Sequence, residues 1–328
     1  MQTRTTRRFT VINDDATGLF PALIEDGRPL LGLMALGLIL SGIFALFLAA
    51  THTFLPHDIA YLGMQPQQLC DLHACRIVHF MFHDRVSFGG TLIAIGTLYL
   101  WLLAFPLPRG EAWAWLTLLL SGIWGFLTFF AYLLYGYLDW WHAVATLGLL
   151  PLFIVGIVRT RSLVKGPVRM RCLLAPSLRL TLRTREGFGR ACLLFTGAGM
   201  TLAGSIITIL GATVVFVPQD MTYLDFTRSQ LNALNPRLIP LIAHDRAGFG
   251  GGLACCGLLV LLIVWKAVPA RALWQALLIG GVTGFGCAIG IHFPMEYTSF
   301  SHLLPAYIGA ALYAVGIVCY WPGAKQRA

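Results

Sequence analysis

Charge is the scarce ingredient of this chain. Of its 328 residues only 11% are Asp, Glu, Lys or Arg, while 57% are apolar in the broad sense. A soluble globule carries roughly a quarter charged residues. That scarcity excludes an ordinary soluble domain, and runs of 18 or more nearly uncharged residues point to a bilayer. Other absences narrow the field further. No apolar stretch directly follows the basic start "MQTRTTRRFTVINDDATG", so no cleavable signal peptide is expected. No glycine-rich stretch carries a P-loop lysine or follows a strand pattern; "GFGGGL" reads as helix packing, and neither nucleotide nor nucleic acid is expected as a partner.

What is present is eight apolar segments, at about 30–51, 84–105, 113–134, 140–158, 191–217, 244–265, 272–293 and 301–321. The expected fold is an all-α polytopic membrane protein, eight transmembrane helices in two four-helix bundles related as a parallel repeat. It divides into an N-terminal tail (1–29), a first half (30–158), a basic loop (159–190), a second half (191–321) and a short tail (322–328). The 159–190 loop holds nine of the 23 Lys and Arg, and the tails and short turns on that side bring the total to 18. Only Arg76, Arg85, Arg228, Arg237 and Arg246 fall on the other side. The positive-inside rule then makes both termini and the loop cytoplasmic, in what is expected to be a bacterial cytoplasmic membrane. The net charge of +9 is an orientation signal, with attraction to anionic membrane lipid as a by-product. "SLRLTLRTREGF" within the loop reads as an interfacial basic helix or as an irregular link, and the loop is too short for an enzymatic domain. Chemistry therefore belongs to the bundle or to another protein.

The chain is duplicated. "HDRVSFGG" (His83–Gly90) returns as "HDRAGFGG" (His244–Gly251), 161 positions later. "FLPHDIAYL" (Phe54–Leu62) aligns with "FVPQDMTYL" (Phe216–Leu224), and Arg76 aligns with Arg237. Asp58 and Asp220 recur, as caps or as partners for Arg76 and Arg237. Asp139 reads as an N-cap for the fourth helix. Of nine histidines four recur in matched positions: His83 with His244, and His142 with His302. Each is expected to open an even-numbered helix at its outer end, so that His83/His142 and His244/His302 face each other within their own halves. Facing imidazoles about 4 Å apart suit the two axial positions of a haem iron. The glycines after His83 and His244 leave room for a macrocycle, and Arg76, Arg85, Arg237 and Arg246 are the expected propionate partners.

This arrangement resembles the haem A synthase family: eight helices in two halves, a histidine at the outer end of each even-numbered helix, and a cysteine pair in the first outer loop, here Cys70 and Cys75. The resemblance implies haem b on His244/His302, a substrate haem at His83/His142, and oxidation of a haem methyl group. Phe80 and Leu241 stand where the family carries a carboxylate three residues before the histidine. It also implies haem-delivery, thiol-exchange or respiratory-complex proteins as partners.

One cluster occurs only once. "LCDLHACRIVHFMFHDR" crowds Cys70, His73, Cys75, His79 and His83 together. A Cys70–Cys75 disulfide suits the oxidising side; a copper or zinc site using the cysteines with His73 or His79 is the other reading. His79 and His83 share a helix face at i,i+4. His292 and Glu296 also lack counterparts, and Glu296 reads as a wetted loop residue rather than a proton relay. No catalytic residue is identified by the sequence. The leading expectation is a haem-binding membrane protein with oxidoreductase chemistry. The competing one is a transporter or non-catalytic subunit in which the repeated His-Asp-Arg is a structural ion-pair network.

Overall fold

The computed structural model describes residues 26–72, 74–130, 137 and 140–321, with backbone only at 129, 130 and 140–142. Every regular element among the described residues is helical: α1 (Arg28–Ala50), α2 (Pro56–Leu62), α3 (Pro66–Leu72), α4 (Arg76–Ala104), α5 (Ala112–Phe130), α6 (Trp140–Thr160), α7 (Arg171–Leu174), α8 (Arg185–Ala212), α9 (Pro218–Leu224), α10 (Arg228–Leu234), α11 (Leu238–Lys266), α12 (Arg271–Gly290) and α13 (Phe300–Cys319). Seven of them (α1, α4, α6, α8, α11, α12 and α13) are long and apolar enough to cross a membrane. A soluble fold has no use for seven such helices, so the chain is an integral membrane protein. α5 is equally apolar and shorter.

Two helices of 29 residues each, α4 and α11, form the centre with most of their apolar stretches buried, whereas less than a third of the stretch is buried in each of the other five long helices. α4 packs on α1 and α12, α11 packs on α8 and α5, and the two central helices also touch each other. Glycine makes the tightest of these contacts. A Cβ on Gly89 would meet the Gly42 carbonyl oxygen at 2.9 Å, and a Cβ on Gly250 would meet that of Gly204 at 2.8 Å. Lipid tails are as apolar as leucine, so helices in a bilayer associate by such close backbone approach. Matching tryptophans tie the outer helices: Trp115 Nε1 donates to the Ile157 carbonyl and Trp274 Nε1 to that of Ile317, both at 2.9 Å.

At one end of the bundle lie the short helices α2, α3, α9 and α10. Pro56 and Pro218 start α2 and α9, where a missing N–H costs nothing. Gly63 (φ 66°) and Asp225 (φ 56°) end them in the left-handed region. α10 opens with a reciprocal cap between Thr227 and Gln230. These helices roof a second apolar core that includes Phe54, Leu69, Ile77, Phe80, Leu231 and Leu241.

That core corrects the expected helix starts. α4 begins at Arg76 and α11 at Leu238, so His83 and His244 lie about two turns inside their helices rather than opening them. Ile77, Val78 and Phe80 on α4, and Leu238, Leu241 and Ile242 on α11, are buried beneath the roof and so extend the helices. Pro240 falls in the first turn, where it is tolerated. Residues 175–184 form the irregular alternative rather than an interfacial helix, anchored where Arg190 Nη1 donates to the Leu178 carbonyl at 2.7 Å and its Nε to that of Val264 at 2.9 Å. His73 and Asp139 lie outside the described residues.

Because Gly250 and Gly204 meet backbone to backbone, Gly250→Leu is expected to separate α8 from α11 and to abolish a cooperative thermal transition in detergent. Gly250→Ala should lower stability by about 1–3 kcal/mol, an overpacking cost. A Gly250→Leu protein that melts like the wild type would contradict the close approach.

Candidate functional site

The repeated octet is resolved by where its charges go. Arg85 Nε donates to Asp245 Oδ2 at 2.8 Å and its Nη1 to Asp58 Oδ2 at 2.6 Å. Reciprocally, Arg246 Nε donates to Asp84 Oδ2 at 3.2 Å, and its Nη1 donates to Asp220 and to the Val215 carbonyl. Tyr137 and Tyr297 donate their hydroxyls to Asp58 and Asp220, each at 2.8 Å. Each octet therefore hands its arginine to the other octet's aspartate. Burial alone would raise the Asp58 carboxyl, but the Arg85 guanidinium beside it outweighs burial and holds it below the ordinary carboxylate range. Burial, reinforced by the Asp220 charge, keeps the Tyr297 phenol protonated far beyond its usual range, so it stays a donor.

Next to this lattice three imidazoles converge. His83 comes from α4, His302 from the first turn of α13, and His292 from the turn between α12 and α13. One ligand nitrogen from each lies within 4.8 Å of the others. The His83 and His292 Nε2 atoms are 3.0 Å apart. Asp84 Oδ1 lies 2.9 Å from His83 Nδ1, and Tyr297, itself bound to Asp220, reaches His302 Nδ1 at 3.2 Å. His302 Nδ1 is thus held by a carboxylate-linked hydroxyl, whereas His83 Nδ1 lies close to Asp84 without forming a hydrogen bond. Orienting a ligand histidine through its second nitrogen is the usual outer support of a protein metal site.

The histidines head a cavity of about 710 Å³, bounded by α4, α8, α11, α12 and α13. Small residues make the space: a Cβ on Gly199 or Gly284 would meet nothing within 4 Å. A smaller void of about 70 Å³ lies among α1, α4, α5, α6 and α11.

The expected residues are redistributed. His302 is joined by His83, from the other half, with ring centres 5.9 Å apart; the expected partnerships within each half give way because α4 is central and faces α12 and α13. His244 is buried with its ring 5.0 Å from Tyr137, and the His142 side chain lies outside the described residues. Two of the four arginines are already paired with carboxylates. Arg85 and Arg246 are taken by aspartates, while Arg76 and Arg237 donate to the Tyr223 and Tyr61 carbonyls, again reciprocally. Asp58 and Asp220 accordingly serve Arg85 and Arg246 rather than Arg76 and Arg237. Phe80 stacks under the Arg246 guanidinium, 5.0 Å from its ring centre.

Cys70 and Cys75 form a disulfide, which leaves neither thiolate for a metal. His79 turns away beside His52, ring centres 6.1 Å apart. Glu296 is exposed, as expected of a wetted loop. His292 is the member of the histidine cluster that the sequence left unassigned. Its only signal was a position ten residues before His302, across a Pro-containing turn short enough to fold back.

A haem iron shared by His83 and His302 would sit midway between their rings. Ring-centre separations of 4.4 Å (His83–His292) and 5.3 Å (His292–His302), with 5.9 Å across the pair, form a triangle whose median puts the His292 ring roughly 3.9 Å from that midpoint. That lies inside a porphyrin's footprint, so such a haem does not fit around His292 as it stands. Compared with known proteins, the chain matches no protein family, no curated protein and no solved structure.

Breaking one buried ion pair of the lattice should cost about 3–5 kcal/mol, since the partner is left charged and unpaired. Arg85→Met and Asp245→Asn are each expected to lower the melting temperature in detergent, and the double variant should lose less than the sum. Strict additivity would contradict the pairing. Maleimide should label Cys70 and Cys75 only after reduction; labelling of the unreduced protein would remove the disulfide.

Proposed function

We propose that this chain is an eight-span membrane protein of two four-helix halves, with α5 as the eighth span, that holds a transition-metal centre on His83, His292 and His302. The observation that carries the metal reading is the convergence of three imidazoles from three separate segments at the head of an apolar cavity. Two halves are supported by the sequence repeat and by the reciprocal Arg85–Asp245 and Arg246–Asp84 contacts. Lys and Arg distribution supports cytoplasmic termini and a centre near the outer face.

Three supports favour a metal. Tetrahedral ligation at about 2.0–2.1 Å separates histidine nitrogens by roughly 3.3 Å, close to the 3.0 Å between His83 and His292, and the His302 nitrogen lies within 4.8 Å of both. Tyr297 on the His302 Nδ1 supplies outer support. The lattice sets four carboxylates against two guanidiniums, and a divalent cation next to Asp84 offsets that surplus. Three protein ligands leave a fourth position open to the cavity, the arrangement of a catalytic rather than a structural site. When bound, the metal supplies Lewis-acid or one-electron chemistry there.

Haem b is the second reading, favoured by the 5.9 Å separation of the His83 and His302 rings and by the cavity's size. It requires His292 to leave its place. The family resemblance and its haem-delivery, thiol-exchange or respiratory partners belong to this reading.

Protein purified in detergent from metal-replete cells should contain about one equivalent of a first-row metal, without a Soret band. His292→Ala and His302→Ala should each lose most of it while keeping their elution profile. A low-spin haem spectrum that persists in His292→Ala and disappears in His302→Ala would replace the first reading with the second. Metal and haem both absent from the wild type would reject both.

A further inference from the structure

The cavity extends far beyond what a metal ion needs. It runs from His83 down α4 to Leu98 and along α13 to Tyr313, fifteen residues of α4 or roughly 22 Å at 1.5 Å per residue. Its lining is apolar apart from the histidine end and four hydroxyl-bearing residues, Ser87, Thr91, Thr196 and Tyr313, the last of which donates to the Leu277 carbonyl. It also has a side opening. α8 and α13 are clamped at their far end, where a Cβ on Gly189 would meet Cys319 Cβ at 2.7 Å and one on Gly316 would meet Leu193 Cγ at 2.8 Å. Nearer the histidines both helices expose residues that line the cavity: Phe195 (68%), Leu202 (64%) and Ile206 on α8, and Ile308 on α13. In a membrane-spanning bundle, that gap opens to lipid.

The charges on the page define the head of whatever enters. The charged residues lining the cavity are Asp84 and Arg246, and they are paired with each other. No guanidinium or ammonium among the described lining residues is left for a phosphate or carboxylate, and a buried charge without a partner is costly. What remains for a ligand is the imidazole edges and hydroxyls, which suit a neutral hydrogen-bonding group. The volume lies within the roughly 300–1,000 Å³ of ligand pockets.

We propose that the cavity binds a membrane-dissolved molecule with an uncharged, hydrogen-bonding ring and a long apolar tail, of the isoprenoid quinone class. It enters between α8 and α13 and stops with its head beneath His83, His292 and His302. This rests on the reading of those histidines as a metal centre, because the ring would then sit at the open coordination position.

Decylubiquinone is the probe, titrated into detergent-purified wild-type protein, with metal content measured on every sample. Saturable binding is expected. Gly284→Phe, at a lining position where an added Cβ has nothing within 4 Å, should weaken it at least about tenfold (roughly 1.4 kcal/mol) and leave the metal unchanged. Gly199→Phe, on the α8 lining, should slow or weaken binding in the same direction and guards against a folding failure at Gly284. A phosphocholine detergent of equal chain length should compete poorly. Binding unchanged in both glycine variants, or equal competition by the phosphocholine, would overturn the proposal. Metal lost in His292→Ala with quinone binding retained would uphold the cavity and separate it from the centre; quinone binding absent while wild-type metal is present would overturn the cavity and spare the centre.

Discussion

Everything at the functional end depends on two arginines buried where a charge is expensive. Arg85 and Arg246 are each 14% exposed or less at the side chain, and each bridges two carboxylates from different parts of the chain. A lone guanidinium there would carry a desolvation penalty of several kcal/mol. The lattice removes that penalty only when α4, α11 and the short helices α2 and α9 are all in place. The arginines thereby fix the depth and rotation of α4, and with them the direction of His83, the residue immediately before the Asp84–Arg85 pair. The convergence of His83 with His292 and His302 follows from the ion pairs.

The same constraint explains why the octet repeats. In an isologous contact residue i of one copy meets residue j of the other, and j meets i. Asp84 with Arg246 and Arg85 with Asp245 have this form, as do Arg76 with the Tyr223 carbonyl and Arg237 with that of Tyr61. A motif near such an axis must be kept in both copies, or one half of every reciprocal contact is lost. The histidines obey a different rule. His83 is drawn into the company of His292 and His302 by the central position of α4, and His292 has no counterpart in the first half.

This difference sets what could be read from the sequence. Apolar runs located most of the long helices to within a few residues, because bilayer thickness imposes a length. α8 starts six residues before its expected run and ends five before that run does, and the starts of α4 and α11 were misplaced because a polar His-Asp-Arg looks like a helix entrance when its burial is unknown. The repeat identified His83, His244, Asp84, Arg85, Asp245 and Arg246 as special. It could not assign partners, since alignment of two copies carries no information on whether a residue meets its own half or the other. Arg85 and Arg246 were therefore expected at an anion and instead bind aspartates. His292 was passed over because recurrence was the filter, and the cavity was invisible because Gly199 and Gly284 reveal a void only when the helices around them are known. The Cys70–Cys75 disulfide was one of two readings that the sequence left open, beside a metal site on the same cysteines.

Asymmetry between the two voids is the last consequence. A duplicated scaffold would offer two equivalent cavities, yet the one headed by His83, His292 and His302 measures about 710 Å³ and the one among α1, α4, α5, α6 and α11 about 70 Å³. The lattice serves both sides equally, so the difference comes from what lies beyond it. The glycines alone do not set it, since Gly125, which aligns with Gly284, also has nothing within 4 Å of an added Cβ. The "IHFPMEY" turn, which brings a third imidazole and Tyr297 to the head of the larger space, has no like sequence in the first half. On this account one half keeps the frame rigid through reciprocal pairs, and the other is released from symmetry to carry an open site. A third histidine at the head of that void completes a cluster of three imidazoles and leaves the space in front of it free.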